Sequence, residues 1–254
     1  MNFFRNVMVS GRLPGRRGVA AEWTITLAIL FFATTTLVQA YVIPTGSMEN
    51  TILIGDHVLV DKLAYADPGA IGKGLLPYRE VRRGDIIVFR YPVDGTTPYV
   101  KRVIGLPGDR IHLESGNVIR NGQRLTEPYT QHIATSPVAY RDNFPQSPPV
   151  GLPERGRDML AHHEQNGEIV VPANTFFALG DNRDNSLDSR FWGFVPRENL
   201  IGKPLVIYWS YAAPEEDLME WNVHHLADVA LHFFSKTRWE RTFLIPRSQT
   251  AEVQ

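Results

Sequence analysis

The sequence predicts a mainly β domain set between an apolar N-terminal helix and an amphipathic C-terminal one. Three observations carry this expectation. Residues 23–43 form an uncharged apolar run. Short β-type runs bounded by Gly, Pro or Asp recur after it. Apolar residues then return at helical spacing over 215–241. A chain of 254 residues with 43% apolar residues can bury a core in one large domain or two small ones.

Residues 1–22 read as a basic tail, with Arg5, Arg12, Arg16 and Arg17 against Glu22. The run over 23–43 is about 20 residues long, and as a helix it spans roughly 30 Å, the thickness of a bilayer core. Its threonines can return their hydroxyls to the helix's own carbonyls. The arginines before it place the N-terminus in the cytoplasm and the chain beyond residue 43 outside. Val38-Gln39-Ala40 also fits the small-x-small pattern of a cleaved signal peptide. The length of the run and of the tail before it favours a transmembrane anchor over that reading and over a buried core helix.

The β domain is expected over 44–210. Its clearest strands are His57-Val58-Leu59-Val60, Asp85-Ile86-Ile87-Val88-Phe89-Arg90 and Tyr99-Val100-Lys101-Arg102-Val103-Ile104. Val118 to Leu125 reads as a hairpin, because Asn121-Gly122 supplies the two positive φ values of a type I′ turn. Further strands are expected over 168–171, 175–179 and 204–208, in coiled or barrel-like sheets. Between 126 and 167 six prolines interrupt the pattern, which reads as an insertion without long regular elements. Residues 211–254 read as an amphipathic helix and tail. Its apolar positions include Leu218, Trp221, Leu226, Phe233 and Phe234. They suit either the membrane interface, with Lys236, Arg238 and Arg241 near headgroups, or packing on the β domain.

Charge and composition exclude several functions. A net charge of -1 leaves no basic excess for nucleic acid. Absence of Cys removes disulfides and Cys-bound metals. No His-Glu-x-x-His or Gly-x-Ser-x-Gly pattern occurs, so neither a zinc protease nor an α/β-hydrolase elbow is present. None of the eight histidines falls in a triad pattern.

The remaining candidate chemistry pairs Ser47, in Ile43-Pro44-Thr45-Gly46-Ser47-Met48, with Lys101. A serine hydroxyl needs a base, and a lysine serves if burial keeps its amine neutral. Strand alternation puts Tyr99, Lys101 and Val103 on one face and sends Arg102 the other way, towards solvent. An exposed lysine paired with a carboxylate is the plainer reading of Lys101 taken alone. The polar segment Gly180-Asp181-Asn182-Arg183-Asp184-Asn185-Ser186-Leu187-Asp188-Ser189-Arg190 reads either as a solvated turn or as a buried hydrogen-bond network. It fails as a calcium loop, because Ser186 replaces the turn glycine and Trp192 the closing glutamate.

Taken together, these segments closely resemble bacterial type I signal peptidase, the leader peptidase family of Ser–Lys membrane proteases. The resemblance covers roughly residues 23–210. It rests on the anchor with Pro44-Thr45-Gly46-Ser47-Met48, on Arg83-Gly84-Asp85-Ile86-Ile87-Val88-Phe89, on Tyr99 to Asp109, and on Gly180 to Arg190 with Phe191-Trp192-Gly193. It implies two antiparallel β-sheet subdomains with an apolar face resting on the membrane. It implies that Ser47 is the nucleophile and Lys101 the general base. Thr45 and the N–H of Ser47 would form the oxyanion hole. Ser186 would orient the lysine, and Asp188 and Arg190 would support the site as an ion pair. Ile43, Met48 and Val100 would wall the substrate pocket. No cofactor and no metal are implied. The partners implied are exported preproteins, cut after small-x-small (Ala-x-Ala) sites, the lipid bilayer, and the export machinery nearby. The location implied is the bacterial inner membrane.

Two departures stand out. Thr45 replaces a common serine and keeps the hydroxyl. Glu49-Asn50 replaces the usual x-Pro before Thr51, which bears on the rigidity of the turn and on substrate preference. A self-cleaving Ser–Lys protein and an inactive membrane-tethered scaffold are the competing readings. The anchor, the lack of a DNA-binding domain and the presence of both Ser47 and Lys101 weigh against them.

Overall fold

The computed structural model describes residues 18–66, 78–219 and 223–253. Most of the expected basic tail, and Trp221, lie outside the described residues. The chain divides into two units that meet between Leu37 and Val38.

In the first unit, helix α1 (Val19–Phe32) continues through a π-helical turn, Ala33–Leu37. The span Val19–Leu37 has 19 residues, a mean hydropathy of 1.4 and no buried residue, so it is long and apolar enough to cross a membrane. Its threonines are satisfied as expected. Thr26 donates to the Glu22 carbonyl at 2.9 Å and Thr34 to the Leu30 carbonyl at 2.9 Å. The helix is shifted from the expected 23–43. Val38–Val42 leaves it to form strand β1, whose residues pair from Val38↔Asp61 to Val42↔His57. Tyr41 and two β-branched valines suit an extended backbone, and the neighbouring strand supplies the hydrogen bonds. Val38-Gln39-Ala40 therefore lies in a strand.

The second unit contains two antiparallel sheets. The strands are β2 (Asp56–Asp61), β3 (Ile86–Arg90), β4 (Pro98–Gly105), β5 (Arg110–Glu114), β6 (Asn117–Arg120), β7 (Gln123–Thr126), β8 (Glu164–Gln165), β9 (Glu168–Val170), β10 (Thr175–Leu179), β11 (Val195–Pro196), β12 (Leu200–Ser210) and β13 (Glu252–Val253). One sheet runs β1-β2-β12-β3-β4-β10-β11 and the other β13-β7-β6-β5-β9-β8. The unbroken apolar run of β3 follows from burial on both faces. Ile86 and Val88 pack with Ile43, Met48 and Ile52, while Ile87 and Phe89 pack with Val103, Phe176 and Trp192. The hairpin β6–β7 turns at Asn121 and Gly122 with φ of 55° and 75°, as the sequence predicts.

The insertion over 126–167 holds more regular structure than its prolines suggest. It contains α2 (Ala139–Asp142) and the ten-residue α3 (Glu154–His163), which Pro153 precedes at the N-cap. Proline is at home there because helix-start N–H groups need no intrahelical acceptor. Gly156 lets α3 dock closely, since a Cβ at that position would come within 2.1 Å of the Phe191 carbonyl oxygen.

After β12 the chain leaves the sheet at Tyr211 and returns at Thr237, and these two residues bridge. Between them lie α5 (Glu215–Met219) and α6 (Val223–Lys236). Helix α6 packs on the sheet. Phe233 stacks on Trp209 at 5.9 Å, and the Tyr211 hydroxyl donates to Asp228 at 2.8 Å. Lys236, Arg238 and Arg241 are engaged within the protein. Lys236 pairs with Asp228 at 2.7 Å, Arg238 donates to the Ile54 carbonyl at 3.0 Å, and Arg241 pairs with Asp56 at 2.6 Å. We expect Phe233→Ala to lower the melting temperature of the full chain by several degrees, at about 2–4 °C for each kcal/mol lost. Binding to vesicles should be unchanged. An unaltered melting temperature with weakened vesicle binding would instead make α6 a membrane contact.

Candidate active site

Ser47 sits in a 3-10 turn, Gly46–Met48, in the loop between β1 and β2. Met48 and Ile52 anchor this turn in the core, each at most 1% exposed. Lys101 lies on β4, 3% exposed. Its Nζ donates to Ser47 Oγ at 2.6 Å and to the Val100 carbonyl at 3.1 Å, and it lies 5.4 Å from the centre of the Tyr99 ring. Burial pushes the amine down to about 8, against the upward pull of Asp188 and Asp181 and with a smaller downward push from Arg190. Both carboxylates are paired elsewhere. Asp188 binds Arg190 at 2.8 Å, and Asp181 binds Arg102 at 2.6 Å. The lysine thus has no carboxylate partner among the described residues. Its amine, lowered by burial towards physiological pH, lies against a hydroxyl.

The polar segment 180–190 is the buried network of the two sequence readings. Asn182 clamps the Ser47 turn. Its N–H donates to the Ser47 carbonyl at 3.1 Å, and its Nδ2 donates to the Gly46 carbonyl at 3.2 Å and to Glu49 at 3.2 Å. Asp188 caps α4 (Ser189–Trp192) by accepting from the Arg190 N–H. Burial works to raise the Asp188 carboxyl, but the Arg190 guanidinium prevails and holds it below the usual range. Gly180 lies where a Cβ would come within 2.4 Å of the Ser47 carbonyl oxygen and 2.3 Å of Ser186 Oγ. Ser186 does not bond to Lys101. Its buried hydroxyl stands near enough to Asp188 to help keep that carboxylate ionised, yet makes no hydrogen bond of normal geometry.

Arg102 corrects the sequence reading. It does not reach solvent but is fully buried. Its guanidinium grips Asp181 through two hydrogen bonds of 2.7 and 2.6 Å, donates to the Gly84 carbonyl at 2.9 Å and lies 3.9 Å from the centre of the Tyr129 ring. Alternation along β4 is right, but protein covers the opposite face too. The Glu49-Asn50 departure also has a structural form. Asn50 has φ of 85°, which proline cannot adopt. The turn is secured instead by Asn50 Nδ2 to the Tyr129 carbonyl at 3.2 Å and by Thr51 Oγ1 to Asp181 at 2.5 Å.

A cleft of about 420 Å³ opens beside Ser47 and Lys101. Thr45, Ile43, Met48 and Val100 line it, with Leu187 and Glu215 among its other walls. The N–H of Ser47 belongs to the first turn of its 3-10 helix, where amides have no intrahelical acceptor. Strand β10 pairs with β4 only from Arg102 onwards, so residues 98–101 have β3 as their one strand neighbour among the described residues. Strand β1 is likewise the edge of its sheet. Among the histidines, His57 packs on the Trp209 ring at 4.5 Å, and His112 lies 3.2 Å from Glu168.

The sequence model of the family described as signal peptidase, peptidase S26, matches residues 16–209. The chain belongs to this family. The signal peptidase I of Aquifex aeolicus is 34% identical over 232 residues, covering 78% of this chain and 86% of that protein. That of Leptolyngbya laminosa is 36% identical over 205 residues, covering 78% and 79%. That of Pseudomonas aeruginosa is 33% identical over 194 residues, covering 70% and 67%. A crystal structure of a signal peptidase I from Enterococcus faecalis is 29% identical with a TM-score of 0.37, covering 49% of this chain and 97% of that one. As a signal peptidase the chain is a hydrolase that removes signal peptides. Residues of this signal peptidase that sequence reasoning missed are Asn182, which clamps the Ser47 turn, and the Arg102–Asp181 pair. Asn182 could have been singled out only as an amide inside a polar segment already suspected of burial.

Proposed function

We propose that this signal peptidase works through a Ser47–Lys101 dyad at a membrane surface, with its N-terminus in the cytoplasm and its β unit outside. The 2.6 Å contact between Lys101 Nζ and Ser47 Oγ, with the amine out of water, carries this reading. In the reacting state the neutral amine takes the hydroxyl proton as Oγ attacks the scissile carbonyl. The developing oxyanion is met by the Ser47 N–H and the Thr45 hydroxyl at the cleft mouth. The ammonium then gives its proton to the leaving amine, and water enters to free the acyl-serine with the lysine again as base. Ser186 and the Asp188–Arg190 pair act as support, holding segment 180–190 against the Ser47 turn. Exported preproteins are the substrates, and the inner membrane, near the export machinery, is the proposed location. A tag on the N-terminus that external reagents reach in sealed cells would overturn this orientation.

The edges of β1 and of residues 98–101 both border the cleft, so an extended substrate can add there as a strand. Alternate side chains then face the same way. Ile43, Met48 and Val100 wall the space that the first and third residues before the cut would enter. We expect Ala-x-Ala peptides to be cleaved and Leu-x-Leu peptides to be refused, because oversized side chains overlap the walls. Equal kcat/KM for the two would remove this account of specificity. Cleavage of the chain's own sequence without any peptide in trans would favour the self-cleaving alternative.

A further inference from the structure

A second cleft of about 510 Å³ shares Tyr41 and Pro98 with the first. Its polar lining consists of Gln39, Tyr41, Lys62, Arg90 and Thr96, with no carboxylate among the described lining residues, and its apolar wall is Leu200 and Ile201. Arg90 ends β3 and is exposed, and among the described residues its guanidinium makes no hydrogen bond or ion pair. It stands close enough to the Tyr41 hydroxyl to oppose the upward push that burial gives that group. A cleft holding an unengaged guanidinium, with no carboxylate among its described lining, suits an anion, and the guanidinium fork suits phosphate oxygens. The adjoining apolar wall suits the glycerol end of an amphiphile better than a free ion. In the chain, Gln39 follows Leu37, the last residue of the apolar helical span, by two positions.

We propose that this cleft binds the headgroup of an anionic phospholipid. The proposal rests on the reading of Val19–Leu37 as a membrane anchor, which brings headgroups within reach of β1. Retention of the lipid would hold the strand that borders the proposed substrate cleft at a fixed depth. An acidic stretch of substrate upstream of the cut is the other anion of suitable size, but it would not call for the apolar wall.

The test uses the full chain in nonionic detergent, where lipid binding is read independently of whether the helix crosses a bilayer. Flotation with vesicles reports the anchor separately. Retention of phosphatidylglycerol and of phosphatidylcholine is compared by native mass spectrometry. We expect a preference for phosphatidylglycerol that Arg90→Gln weakens by about fivefold, the contribution of roughly one basic residue at an anionic surface. Arg90→Lys should keep part of it. Because Arg90 is exposed and its guanidinium has no partner among the described residues, both variants should melt like the parent. Equal retention of phosphatidylglycerol by the parent and Arg90→Gln would overturn the proposal. So would displacement of the lipid by millimolar inorganic phosphate alone, which would make this a free-anion site. A third contrary result is unchanged lipid retention with slowed cleavage only of peptides carrying Asp or Glu upstream of the cut, which would make it a peptide subsite.

Discussion

Replacing Lys101 by arginine should stop peptide cleavage as completely as Ser47→Ala does. Arginine keeps the positive charge and much of the length, but its guanidinium stays protonated and cannot accept the hydroxyl proton. Each single change should lower kcat by several orders of magnitude. The double variant should be little worse, since groups that act as a unit lose their effect together. The same assignment fixes a pH dependence. The base must be neutral, and burial brings its amine down to about 8. Protonation therefore disables the enzyme below that value, and kcat/KM should rise with pH and level off above it. The Asp188 carboxyl is held below the usual carboxylate range, so it should add no ionisation to the rise, which should be single. A flat profile with chemistry rate-limiting, or appreciable turnover by Lys101→Arg, would remove Lys101 as the base.

Arg102→Met should be the most destabilising substitution near the site. It leaves the Asp181 carboxylate buried at 0% exposure without its guanidinium. Breaking a buried pair from one side costs about 3–5 kcal/mol, far more than an intact pair contributes over an apolar one. It also removes the cation above the Tyr129 ring and the donor to Gly84. The denaturation midpoint in urea should fall markedly. Pairing the change with Asp181→Asn should recover part of the loss, because no naked charge then remains. An unchanged midpoint for Arg102→Met would show that water reaches Asp181.

Much of the architecture is legible in the sequence for physical reasons. Asn121-Gly122 leaves little choice but a tight hairpin, and the apolar run of β3 demands burial on two faces. The pairing of Lys101 with Ser47, which carries the proposed dyad, is legible because Lys101 sits among apolar neighbours on a strand of period two. Alternation misplaces Arg102 because it tells which residues share a face but not what covers the other one. The covering groups, Asp181 and Tyr129, come from segments remote in sequence. The end of the helix at Leu37 is not legible because composition cannot separate an apolar helix from an apolar edge strand. The pairing partner of residues 38–42 decides it. The amphipathic spacing of helix α6 is plain in the sequence. Which surface it faces depended on Trp209 and Asp228 contacts that no local pattern encodes.

Gly180 has a consequence for how this enzyme can vary. The site offers no slack at that position, where the smallest side chain would press on the Ser47 carbonyl and on Ser186 at once. A side chain there requires prior loosening at one of those neighbours, and each loosening would disturb the proposed site. Random mutagenesis should therefore recover position 180 variants only in company with second-site changes. The enzyme's accessible mutational routes are closed at this point by geometry, although glycine itself takes part in no chemical step.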